Sequence, residues 1–148
     1  MPAAPVSPQK YFTVAEANRT LPLVKVIVGD IVTLAQDVKD RQERLRELRA
    51  RRPARKGNGG DAYSEEVQQM EEELEADVER LRGFIDELGK IGVELKDPLI
   101  GLVDFRSLMD GREVYLCWRH GENEVEYWHE LDAGYSGRHS LLERSPRS

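Results

Sequence analysis

The residues best equipped for chemistry in this chain lie between Asp104 and Arg138. Strands paired around Gly121-Glu122, a Gly-X dipeptide suited to a tight type II′ turn, set Trp118 against Val125, Leu116 against Tyr127 and Val114 against His129. That register makes one sheet face almost wholly apolar. The other face then carries Leu102, Asp104, Tyr115, Cys117, Arg119, Glu124, Glu126 and Trp128, with Asp104, Cys117 and Glu126 in one cross-strand row. Two carboxylates flanking a thiol on a central strand are a constellation with chemical potential, and the sharp reading is a small site. The plainer reading is a half-solvated face whose acids are neutralised by Arg106 and Arg119.

His129 falls at the border of the apolar face in this register, where it is either a hydrogen-bonded structural histidine or a base or ligand. His120 flanks a turn and His139 lies near the end of the chain. Arg138 closes the run GYSGR, whose glycines let the chain turn and bring the guanidinium fork to a carboxylate or an incoming anion. The candidate site is therefore Asp104, Arg119, Glu122, Glu126, Trp128, His129 and Arg138. If a divalent metal binds, Glu122, Glu126 and His129 are the candidate ligands, although Glu126 and His129 point to opposite faces of a strand and no spaced Cys/His motif exists. No cofactor is otherwise expected. Binding through this site is expected to depend on His129 and Arg138, with the fold surviving their loss and Cys117→Ser tolerated.

Upstream, Asp110-Gly111 signals a second hairpin that places Gly101, Val103 and Phe105 beside Trp118 and Leu116 on the apolar face. Two turns thus agree on a three-stranded antiparallel meander. Before it, Thr13 and Glu16 form a capping box for a short helix, and Thr20 with Pro22 predicts a restart near Leu21. From there Val24, Ile27, Ile31, Leu34, Val38, Leu45 and Leu48 recur at three- and four-residue spacing, interrupted only by Arg41. A second seam runs through Val67, Met70, Leu74, Leu81, Phe84, Leu88, Ile91 and Leu95, broken by Asp77. The intervening RRPARKGNGGDAY permits a reversal, so the seams fold into an antiparallel helical hairpin. Val26, Val28 and Val32 lie off the seam and need cover from the sheet, the N-terminal helix or a second copy.

The 148 residues hold 28 acidic and 22 basic side chains, a net charge of −6, which argues against a general nucleic-acid binder. The distribution is uneven. Residues 41 to 56 carry eight Lys/Arg against Glu43 and Glu47, whereas residues 61 to 80 carry nine acids against Arg80. Folding back sets one block against the other. Arg49, Arg51, Arg52, Arg55 and Lys56 at the hairpin tip would reach phosphate only if the acidic helix left them free. The lone Cys117 excludes an internal disulfide and suits a reducing compartment. With no apolar run long enough for a membrane span and no signal-peptide core in MPAAPVSPQK, a cytoplasmic protein is expected.

The segments YFTVAEANRTLPLV, GLVDF, LCWRHGENEVEYWH and GYSGR together resemble an uncharacterised bacterial family, domain of unknown function 2203, over nearly the whole chain from Tyr11 to Leu141. The resemblance implies a small cytosolic protein without assigned activity. It marks Asp104, Cys117, Trp118, Arg119, Gly121, Glu122, Trp128, His129, Gly137 and Arg138. The sequence is thus expected to form one α+β domain over 11–140, between disordered segments 1–10 and 141–148. A long antiparallel helical hairpin (11–96, flexible loop 52–63) packs on a small three-stranded antiparallel β-meander with its closing loop (97–140). The leading functional expectation is a non-enzymatic binding or scaffold protein, self-associating or engaging a protein partner, with its recognition surface at the CWR-to-GYSGR end of the sheet. The alternatives are a metal-binding protein or hydrolase-like enzyme using Asp104, Glu122, Glu126 and His129, and, more weakly, an RNA- or ribosome-associated protein.

Overall fold

The computed structural model describes residues 10–51 and 59–143. Helix α1 (Val14–Ala50) starts at the capping box: the Thr13 hydroxyl accepts the Glu16 N–H while the Glu16 carboxylate accepts the Thr13 N–H, both at 3.0 Å. The expected restart at Leu21 does not occur. Pro22 lies inside one continuous helix, because Ala17, Leu21, Val24, Val28 and Ile31 on both sides of it are buried along a single stripe. Packing on that stripe outweighs the one intrahelical hydrogen bond that proline removes.

Helix α2 (Gly59–Lys90) returns antiparallel to α1. Its first turns include residues 59–63, so the Gly-Gly pair expected in the loop opens a helix instead, and residues 52–58 lie outside the described residues. The two charges that interrupt the apolar seams, Arg41 and Asp77, form an ion pair with each other, and Arg49 pairs with Glu71. These two pairs set Leu45 near Leu74. Each polar break in one seam is answered by its counterpart in the other.

Beyond α2 the chain forms five strands rather than three: β1 (Val93–Asp97), β2 (Leu102–Met109), β3 (Arg112–Arg119), β4 (Tyr127–Glu130) and β5 (His139–Ser140), antiparallel and hydrogen-bonded in that order. The fold is α+β. Strand β1 was hidden because Ile91 and Leu95 continue the helical spacing of α2; Gly92 at φ 87 ends that helix, and alternation takes over. The Asp110-Gly111 hairpin has the expected register, Val103 opposite Trp118 and Phe105 opposite Leu116.

The next hairpin is shifted by one residue. Leu116 faces Trp128, and Cys117 faces Tyr127. A short turn does form, with Glu122 N–H donating to Arg119 O, but residues 123–126 then leave the ladder. Val125 drops into the core, its N–H held by the Asn18 side chain at 2.7 Å. That irregular link allows both Val125 and Trp128 to face the helices, a spacing of three that strict strand alternation forbids. Tyr127 and His129 consequently project from the opposite face, contrary to the expected register, and Trp128 is the residue that packs against the core.

The core lies between the inner half of the hairpin and one sheet face. Val24, Val28 and Ile31 of α1 and Leu88 of α2 meet Val103, Phe105, Leu116 and Trp118. Val28 is fully buried and Val32 partly so, which supplies the cover their sequence demanded, whereas Val26 stays 64% exposed. Gly101 is a point of close approach between helix and sheet. A Cβ there would sit 2.9 Å from Val28 and Val32 side-chain atoms, and its φ of 71 also favours glycine. Among the described residues, no helix is long and apolar enough to cross a membrane.

Candidate functional site

On the sheet face turned away from the helices, β2 supplies Asp104, β3 Cys117 and β4 His129. All three are buried, at 2%, 0% and 2% exposure. His129 Nε2 lies 3.0 and 3.1 Å from the two Asp104 carboxyl oxygens, and one ligand-capable atom from each of the three residues falls within 4.8 Å of the others. The one-residue shift created this cluster. It moved His129 from the border of the apolar face to a position beside Asp104.

The histidine's protonation follows from its neighbours. Nδ1 lies 2.7 Å from the Glu130 carbonyl oxygen, which only accepts, so Nδ1 carries a proton. Nε2 then faces a carboxyl group, and two lone-pair-bearing atoms at 3.0 Å require a proton between them. Asp104 and His129 therefore hold one shared proton whichever partner formally owns it. Burial raises the Asp104 pKa, and the attraction of His129 opposes that rise.

Burial also pushes the Cys117 thiol up to about 12, against the lowering influence of Arg138, whose Nη1 is 3.6 Å from Sγ. The folded value lies above the unfolded one. The stability associated with the protonated thiol is therefore complete below the unfolded value near 9 and is lost as the pH climbs towards 12. In chelator, urea denaturation should show the wild-type chain losing about 1.4 kcal/mol per pH unit above about pH 9 relative to Cys117→Ala. Parallel pH profiles for the two proteins would mean that the thiol is solvated.

The rim is built from aromatic rings and tethered cations. Arg138 stacks 3.8 Å above the Tyr127 ring and 4.5 Å from Tyr135, and it is ion-paired with Glu122. Glu122 also accepts the Arg119 backbone N–H, while its own carbonyl accepts the Trp118 indole N–H. Across the cluster, Lys96 lies 4.6 Å above the Tyr115 ring and pairs with Glu94 at 3.0 Å. Tyr115 in turn lies 5.4 Å from the His129 ring.

Of the residues expected at the site, Asp104 and His129 meet directly, and Glu122 with Arg138 forms the rim. Glu126 is exposed and outside β4, so it joins neither the cross-strand row nor a metal set with His129. Trp128 is on the other face, stacked 4.9 Å from His139. Arg119 is exposed and lies 6.0 Å from the Tyr135 ring, while Arg106 pairs with Glu94 and Glu113. Arg106 and Arg119 are engaged elsewhere, and the partner in contact with Asp104 is His129. Cys117, set aside in the sequence-based site, is a full member, and the Asp104–Cys117 pairing across Asp110-Gly111 was the signal for it. At the hairpin tip, Arg49 is engaged by Glu71; Arg52, Arg55 and Lys56 lie outside the described residues.

The model of a family described as an uncharacterized conserved protein, DUF2203, matches residues 10–141. No curated protein and no solved structure is similar enough to the chain to count as a match.

Proposed function

We propose that the chain, which belongs to the family of domain of unknown function 2203, is a metal-binding protein whose ligands are Asp104, Cys117 and His129. One observation carries the reading. The bond from Nδ1–H to the Glu130 carbonyl orients the ring and leaves Nε2, with the proton it shares with Asp104, as the ring atom turned into the cluster beside the thiol. Metal-ligating histidines are oriented by such a backbone acceptor. One sulfur, one imidazole nitrogen and one carboxylate oxygen suit a borderline divalent ion such as zinc, with a fourth position left for solvent or another ligand.

Charge balance supports the same reading. The cluster holds two exchangeable protons, one on the thiol and one shared by Asp104 and His129. A divalent cation replacing both leaves the buried charge unchanged, which avoids the cost of burying a net charge. Arg138 adds a donor to the sulfur, and its own charge is cancelled by Glu122.

The reading is of a binding protein rather than a catalyst, since the ligand atoms are covered and a substrate would have to displace the Arg138–Tyr127 lid. The recognition surface expected at the CWR-to-GYSGR end becomes the cover of this centre. A reducing cytoplasm, which would preserve the thiol, is part of the proposal.

The test is metal analysis of protein purified without chelator, followed by cobalt(II) titration. The expected results are one metal per chain and a thiolate-to-cobalt absorption band absent in Cys117→Ala, whose affinity should fall at least about 100-fold through loss of a ligand. Metal-free protein that neither takes up zinc nor shows that band would overturn the assignment.

A further inference from the structure

The outer arm of the hairpin has a partly covered seam. The principal core cluster reaches only Ile31 and Val32 on α1 and begins at Leu81 on α2. Beyond those residues the helices have chiefly each other to pack against. On α1, Val38 and Leu45 are buried at 8% and 5% exposure, but Val67, Met70, Leu74 and Val78 of α2 remain only half-buried. Along one flank of the arm runs a groove of about 730 Å³, whose lining includes Leu45, Leu74 and Val78 together with Glu72, Glu75 and Arg49.

The two walls differ in charge. Residues 64–79 of α2 carry eight acids and no base. On α1, a 100° step per residue carries Arg49, Arg46 and Lys39 progressively round one flank from Leu45, with Glu43 just beyond Lys39 and Glu47 on the far side. Among the described residues only Arg41 and Arg49 of this arm form ion pairs across to α2, so Lys39, Arg46, Glu72 and Glu75 face outward unmatched. A second copy related by a two-fold axis matches this pattern, because it lays the basic flank of α1 on the acidic flank of the partner's α2. Stacking α2 on α2 would instead oppose like charges.

We infer that two copies of this chain associate through their hairpin arms into a four-helix bundle, each α1 lying on the other's α2. The arm of α1 from Val38 to Ala50 is about 20 Å long. Two such strips bury roughly 800 Å² in total, less than the ~1,000 Å² of a stable interface, so the association is weak, transient and salt-sensitive.

Analytical ultracentrifugation of the full chain tests this from about 1 to 200 μM, a range that reaches the weak association of so small an interface. The expected result is a monomer–dimer equilibrium weakened at least about tenfold between low and high salt. Lys39→Glu/Arg46→Glu and Glu72→Lys/Glu75→Lys should each be monomeric, with unchanged circular dichroism, and should form a heterodimer when mixed. A wild-type chain monomeric throughout the range overturns the inference. So does a dimer indifferent to both reversals, or a pair of variants that fails to recombine.

Discussion

Replacing His129 with alanine is expected to cost the metal-free fold about 3–5 kcal/mol, measured by urea denaturation in chelator. The reason is what it leaves behind. Asp104 is 2% exposed and its carboxyl group is held by both contacts to Nε2, with the Cys117 thiol and the more distant charge of Lys96 as weaker support. Without His129 the carboxylate is either charged and unpaired or protonated and poorly satisfied. Asp104→Asn in the same background removes the stranded charge, so the double variant should recover at least half of the loss. A His129→Ala cost under about 1 kcal/mol would show that Asp104 is solvated and that the pair is not a buried unit. This outcome would replace the sequence-based expectation that the fold survives His129→Ala.

The register shift behind that prediction shows where sequence reasoning stopped. The Asp110-Gly111 hairpin was legible because a two-residue turn leaves one register, and it placed Asp104 opposite Cys117 correctly. The following hairpin was not. Gly121-Glu122 has the form of a turn, but the Glu122 carboxylate binds the Arg119 N–H and Arg138, while Val125 is captured by Asn18, 107 residues earlier in the chain. A tertiary contact of that range carries no local signal, and it shifted the pairing enough to exchange Tyr127 with Trp128 and bring His129 to Asp104.

The helical hairpin was legible for the opposite reason. Arg41 and Asp77 each looked like a flaw in its own seam, yet they pair at one level of the antiparallel helices. The edge strand β1 was missed because its leucine fell on a helical period, and β5, with only two residues, carried too little pattern to detect.

Loading the site with zinc is expected to release two protons per metal ion. One is the proton that the Nδ1-to-carbonyl bond forces between Nε2 and Asp104, and the other is the thiol proton, held firmly by a pKa near 12. All three ligands must present lone pairs, so both protons leave. Titration calorimetry in buffers of different ionisation enthalpy counts them, and apparent affinity should rise about 100-fold per pH unit while both remain bound to the apo protein. Cys117→Ala separates the two contributions: it should bind weakly and release a single proton. Release of one proton by the wild-type chain, unchanged in Cys117→Ala, would remove the sulfur from the ligand set. Release of none would mean that the metal lies on the exposed carboxylates and that the buried cluster is held together by its protons alone.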